Sequence, residues 1–321
     1  MKNRKQLLIH GGMHKTGSTA IQEVMVANKD LLRSHGILYA QTGSRWDFGV
    51  GERHYHIKAS MFKDLSGVRH ELLWGRLYDE AEAAGCSTVV ISHEGFLSPE
   101  EPVTAAFEEM QQFFEAQLIC YFPDPIEYFN SKYKEWVRRH QFRFEPSDFI
   151  LSQLGYVNWS AMLEVWETHL GNNKVHCFHF NREHLLNGCV VSDLCHRIKE
   201  IIGAFPTLPE PDPLVNNSLT NRQTLLCLQK NNLLHSGKEI RETAFLELFN
   251  GPTMRSGSGL ILTEEACRYV RGASWQSRNH IREVYGVNVE CVKVAERCFD
   301  EEFHCLEWRS LVRQELLRTL V

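Results

Sequence analysis

Between residues 11 and 19 the chain reads Gly11-Gly-Met-His-Lys15-Thr-Gly17-Ser-Thr19. Glycines, hydroxyl residues and a lysine at this density suit an anion: amides and hydroxyls donate, Lys15 supplies a full charge, and glycine lets the backbone approach closely. The preceding Gln6-Leu-Leu-Ile-His10 is a short apolar run, and from Ala20 to about Ser34 the positions Ile21, Val24, Met25, Leu31 and Leu32 recur at helical spacing. The loop therefore joins a strand to a helix N-terminus, where free N–H groups and the positive end of the dipole favour phosphate. It is not the nucleoside-triphosphate loop G-x-x-x-x-G-K-[ST]. Gly12 and Gly17 have that separation, but Ser18 stands at the Lys position and Lys15 precedes the second glycine.

The run His14-Lys15-Thr16-Gly17-Ser18-Thr19 resembles the 5′-phosphosulfate loop of sulfotransferases that use 3′-phosphoadenosine 5′-phosphosulfate (PAPS). Continued through Ala20-Ile-Gln22, it resembles their bacterial, carbohydrate-type branch. The resemblance implies an α/β, three-layer fold with a central, mostly parallel sheet of the P-loop NTPase type. It also gives His14, Lys15, Thr16, Gly17, Ser18, Thr19 and Ala20 to the 5′ end of PAPS, with 3′-phosphoadenosine 5′-phosphate (PAP) as product.

A second constellation is Tyr121-Phe-Pro-Asp-Pro125-Ile-Glu-Tyr-Phe-Asn-Ser131-Lys-Tyr-Lys-Glu-Trp136. Asp124 and Pro125 suit an N-cap and first helical residue, and Ile126, Phe129, Tyr133, Trp136 and Val137 share one face, so the run reads strand, turn, helix. In the sulfotransferases the corresponding element holds the 3′-phosphate with an Arg at the strand end and a Ser on the helix. Ser131 matches the Ser, but Pro123 stands eight residues before it, at the Arg position. Losing a bidentate cation there should weaken cofactor binding by roughly tenfold or more unless another replaces it. Lys132, Arg138, Arg139 and Arg255 are candidates. Arg255 is singled out because cytosolic members of the superfamily bring a late Arg-rich, Gly-containing loop to this phosphate. Tyr156-Val-Asn-Trp159, Trp166 and Asn217-Ser-Leu219 follow the order of elements in bacterial sulfotransferases of glycans.

Sulfuryl transfer by in-line displacement needs positive charge on the leaving phosphate and a base on the attacking hydroxyl, with no metal demanded. Lys15 takes the first role. For the base, Glu94 and His93 follow a strand in Ser92-His-Glu-Gly95, and His56 and His54 follow a long loop; the order of preference is Glu94, His56, His93, His54. Trp46, Phe48 and Tyr55 in that loop would suit a sugar face. The expected acceptor is a glycan or glycolipid. Two competitors are a non-catalytic binding protein of the same fold, favoured by Pro123, and a P-loop small-molecule kinase, which would need ATP and Mg²⁺.

These residues need a frame. Gly36-Ile-Leu-Tyr39, Ser87 to Ser92, Gln117 to Phe122 and Lys174 to Phe178 read as strands, with helical patterning from Leu72 to Ala84 and a capped helix start at Ser98-Pro-Glu-Glu101. Residues 41 to about 56 show no periodicity and read as loop. The proline-rich stretch 206–213 separates an α/β core of about 1–205 from a helical part of about 214–321, within a single domain.

The chain has 321 residues, 43% hydrophobic and 23% charged, enough for one sizeable core, and its net charge of −5 argues against a nucleic-acid binder. No run suits a membrane span or signal peptide. The ten cysteines form no Cys-x-x-Cys pair, which fits reduced thiols in a cytoplasmic protein, and the seven-residue spacing of Cys291, Cys298 and Cys305 reads as a buried helical stripe.

Overall fold

The computed structural model describes residues 3–47, 50–62, 71–211, 219–251, 254, 259–292 and 314. In chain order the elements are β1 (Lys5–His10), α1 (Ser18–Ala27), α2 (Lys29–Ser34), β2 (Ile37–Tyr39), β3 (Arg45–Asp47), β4 (Val50–Arg53), α3 (Tyr55–Met61), α4 (Glu71–Ala83), β5 (Thr88–Ser92) and α5 (Thr104–Phe113). They continue as β6 (Phe114–Pro123), α6 (Pro125–Arg139), α7 (Pro146–Gln153), α8 (Trp159–Leu170), β7 (Val175–Phe180), α9 (Val190–Ile202), α10 (Asn221–His235), α11 (Glu242–Asn250), α12 (Glu264–Ala273) and α13 (Trp275–Tyr285). Two compact units form. The first comprises Met1–Pro123, Gly155–Pro213 and Trp275–Val289; the second comprises Asp124–Leu154, Leu214–Ser274 and Glu290–Val321.

The first unit is built on a five-stranded sheet of order β2-β5-β1-β6-β7, every pair parallel. Strands such as Leu7-Leu-Ile9 and Val89-Val-Ile91 are buried on both faces, which is why they read as continuous apolar runs. Ile21, Val24 and Met25 of α1, Leu32 of α2 and Val191, Leu194 and Ile198 of α9 form a core with Leu8, Val90, Ile119 and Tyr121 of the strands. Elsewhere in the unit the rings of Phe96, Phe107 of α5 and Trp166 of α8 pack together. The architecture is the expected α/β P-loop-like one, and β1 lies in its middle with carboxyl ends on either side.

Three local expectations are corrected. The helix expected through Ser34 is broken at Asn28, whose side-chain and backbone N–H both donate to Val24 O (2.8 and 3.1 Å), ending α1. The expected loop after β2 contains an antiparallel hairpin, β3 with β4. The helix expected at Ser98 begins at Thr104; the Ser98 hydroxyl instead accepts from Glu100 N–H (3.2 Å) in a local turn. Pro102 explains the delay, because it disfavours helical backbone at Glu101 and offers no N–H.

The second unit is helical where described. In α6, Asp124 is the N-cap, its Oδ1 accepting from Ile126 and Glu127 N–H (2.7 and 3.0 Å), with Pro125 at the first position as expected. Tyr133, Trp136, Phe142 and Phe149 form an aromatic cluster. Asn231 of α10 ties it down by donating to Val137 O and Phe142 O, both at 2.8 Å. Among the described residues no helix is long and apolar enough to cross a membrane. Cys120 and Cys177, paired across β6 and β7, bring their sulfurs to 3.7 Å as free thiols, while Cys298 and Cys305 lie outside the described residues.

Candidate active site

The glycine loop lies at the carboxyl end of β1 and is shaped by the neighbouring strand. Gly11 N–H donates to Ile119 O (2.9 Å) and Met13 N–H to Tyr121 O (3.4 Å), both on β6. Met13 O then accepts from the Thr16 amide (3.3 Å) and the Thr16 hydroxyl (2.6 Å), closing a turn. Lys15, exposed on that turn, adopts the left-handed φ of 71°, unusual for a residue with a Cβ. Gly17 follows at φ 78°, and a Cβ there would meet Val190 Cγ1 at 2.7 Å, so both backbone and space demand glycine.

Gly17 is also the N-cap of α1 and has no side chain to cover the helix end. Ile21 N–H to Gly17 O (3.2 Å) is the helix's first hydrogen bond, so the amides of Ser18, Thr19 and Ala20 precede it as donors for an anion. Polar atoms converge on Gly12: a Cβ there would lie 2.9 Å from Thr16 Oγ1, 3.0 Å from His10 Nε2 and 3.1 Å from Ser18 Oγ. His10 Nε2 and Ser18 Oγ are buried without a hydrogen-bond partner.

A polar chain runs from the strand end to the first turn of α1. His10 Nδ1 meets Ser92 Oγ at 2.8 Å, Gln22 Nε2 donates to Ser92 Oγ (3.2 Å) and to Glu94 Oε2 (3.4 Å), and Arg53 donates to Glu94 Oε1 (2.5 Å) and Thr19 Oγ1 (3.4 Å). Its proton directions follow from chemistry. Arg and the Gln amide nitrogen can only donate, so Ser92 Oγ accepts from Gln22, while the His10 Nδ1–Ser92 Oγ bond takes its direction from the His10 tautomer. Burial holds the His10 pKa down at about 4, so the ring is neutral at neutral pH.

The structure brings together the loop residues, His93 and Glu94. Burial alone would raise the Glu94 pKa, but His93, Arg53 and His14 favour the carboxylate and bring it to about 2. His93 accepts the Gly95 N–H on Nδ1 (2.8 Å), so its neutral ring carries the proton on Nε2, and burial lowers its pKa to about 4. His54 is fully engaged: Nδ1 accepts from Ser92 N–H (3.0 Å) and Nε2 donates to Ala40 O (2.9 Å), stitching the ends of β2 and β5 to α3. His56 is half-buried, and the Tyr55 ring stands beside both it and His93, at 5.7 and 5.9 Å between centroids.

Pro123 ends β6, and Ser131 lies half-buried on α6 of the second unit. There Lys132 is buried, donating to Tyr128 Oη (3.0 Å), and burial lowers its pKa to about 7. Arg139 pairs with Glu135 at 3.3 Å in the last turn, beside the exposed Arg138. Arg255, Phe48, Asn217 and Ser218, and the side chain of Trp46, lie outside the described residues. Among the described residues no three His, Cys, Asp or Glu are grouped to hold a metal.

Sequence reasoning missed His10, Gln22 and Arg53. A histidine closing an apolar strand at a glycine loop was a usable signal for the first. Gln22 lies on the helix face with Ser18, whereas Arg53 sits in a stretch without periodicity and gave none.

No protein-family model matches the chain, and no curated protein matches it. Among solved structures, the crystal structure of a sulfotransferase from Alicyclobacillus acidocaldarius is similar over 76% of this chain and 99% of that one, with 14% identity and a TM-score of 0.39.

Proposed function

We propose that the protein is a PAPS-dependent sulfotransferase that moves a sulfuryl group to a hydroxyl of a saccharide or glycolipid by in-line displacement. The observation that carries this reading is the anion loop itself: uncapped amides of Ser18 to Ala20, the unpartnered Ser18 hydroxyl, and Lys15 before the second glycine. This arrangement supports a 5′-phosphosulfate rather than a magnesium triphosphate, because Ser18 occupies the position where the triphosphate loop carries its Lys. Lys15 and the first-turn amides take up the charge that develops on the departing phosphate oxygen.

Among the base candidates, elimination leaves His56. A carboxylate held near 2 accepts protons poorly at neutral pH, and His93 already carries a proton on its outer nitrogen. Glu94 then positions Arg53, and His93 Nε2–H is a donor for the acceptor or the sulfuryl oxygens. Tyr55, against both histidine rings, is the described aromatic suited to a sugar face.

The test is sulfate transfer from PAPS to a panel of glycans, with calorimetry of PAP. Metal-independent PAP binding and loss of transfer in a folded Lys15→Ala variant are expected; undiminished transfer by that variant sinks the mechanism. Pro123 favours a second reading, a non-catalytic binding protein, which predicts no transfer to any acceptor. Preference for ATP with Mg²⁺ would instead indicate a kinase.

A further inference from the structure

We infer that Arg53 is a positioning residue of the anion loop, acting through the hydroxyl of Thr19. The inference deepens the proposed function, since it concerns how the same loop receives the 5′ end of the donor.

The hydrogen-bond directions lead to it. The guanidinium can only donate, so the Thr19 hydroxyl accepts from Arg53 Nη2 and keeps its own proton for another group. Thr19 is half-buried, so that proton is available to a bound anion. Thr19 lies in the first turn of α1, beside the amides that precede the first helical hydrogen bond and next to Ser18, a residue only 6% exposed whose hydroxyl is buried and unpartnered. An anion on those amides would accept from both hydroxyls. Arg53 thereby fixes Thr19 as a donor, and its charge acts on the loop through one intervening oxygen.

The guanidinium is itself held. Glu94 takes Nη1, and Gln22 donates to the other carboxylate oxygen, so two elements fix the orientation before any ligand arrives. Donors set in place beforehand need no reorganisation when the anion binds. Arg53 closes β4, so the hairpin after β2 delivers the guanidinium to a loop that lies after β1.

A double-mutant cycle tests this, read as PAP affinity by calorimetry and repeated with inorganic pyrophosphate, which probes the loop without the nucleoside. Thr19→Val and Arg53→Lys should each weaken binding about tenfold, the scale of one charge-assisted hydrogen bond. The double variant should be no weaker than either single one, because the second residue acts through the first. Thr19→Ser, which keeps the hydroxyl, should bind as the parent does. If Arg53→Lys does not fold, Arg53→Gln replaces it in the cycle. Independent, multiplying losses, or full affinity in a folded Arg53 variant, overturn the inference while leaving PAP binding and the proposed function standing. Conversely, a parent protein that ignores PAP but shows the cycle with pyrophosphate loses the proposed function and keeps the role of Arg53.

Discussion

Arg53 and Glu94 meet at 2.5 Å with side-chain exposures of only 20% and 9%, an ion pair withdrawn from water between a hairpin and a strand end. Such pairs add little net stability but are costly to halve, because the remaining charge stays buried. Glu94→Gln should therefore destabilise the fold by about 3–5 kcal/mol, measured by denaturant unfolding. An unchanged midpoint would show that the pair is open to water.

Acid should unfold the protein in a broad range set by the same cluster. His10 and His93 are held at about 4 rather than 6.5, so the unfolded chain takes up their protons first as pH falls, and stability declines from 6.5 toward 4. Glu94 is held at about 2 rather than 4.5, so its contribution is complete above 4.5 and is lost as pH falls through 2. Melting temperatures of His10→Gln against pH should lose part of the decline between 6.5 and 4; an unaltered profile would mean that His10 does not titrate there.

Lys15→Gly should separate stability from activity. The left-handed φ of 71° costs a lysine about 1 kcal/mol that glycine does not incur. Thermal stability should rise while sulfate transfer disappears, checked by calorimetry and by transfer from PAPS.

Gly17→Ala should do the opposite of a harmless methyl. The added carbon sits 2.7 Å from Val190 Cγ1 on a φ of 78°, so α9 must give way or the helix start must change. A fall in melting temperature is expected, with PAP affinity down at least tenfold by calorimetry. Normal values for both would rule out the close packing of loop and α9.

His56→Ala and Glu94→Asp divide the roles of base and support. On the proposed assignment of His56 as base, its removal should lower kcat on PAPS by 10²-fold or more with KM for PAPS little changed. Shortening the carboxylate should raise KM for PAPS through Arg53 and Thr19. If His56→Ala turns over normally, the base lies elsewhere.

How far the sequence led depended on the range of each interaction. The start of α1 after Gly17 and the N-cap at Asp124 follow from neighbours within four residues, and both were legible. The strands were legible too, since burial on both faces leaves an unbroken apolar run such as Val89-Val-Ile91. Arg53 and Glu94, by contrast, are partners across 41 positions, and nothing local to either marks the other. Asn28 reads as one more polar residue until its side chain turns back to Val24. The base preference for Glu94 came from its place after a strand, whereas proton affinity depends on which charges the fold gathers around it.

The carbonyls that shape the glycine loop have a temporal consequence. Gly11 and Met13 hang from Ile119 and Tyr121, acceptors more than a hundred positions downstream, on a strand that must pair with β1 before they are available. Such distant pairings close slowly and form late. During synthesis the ribosome will have released the whole loop long before its anchors emerge, and ligand affinity should appear in a single step once β6 is in place, rather than growing with the length of the nascent chain.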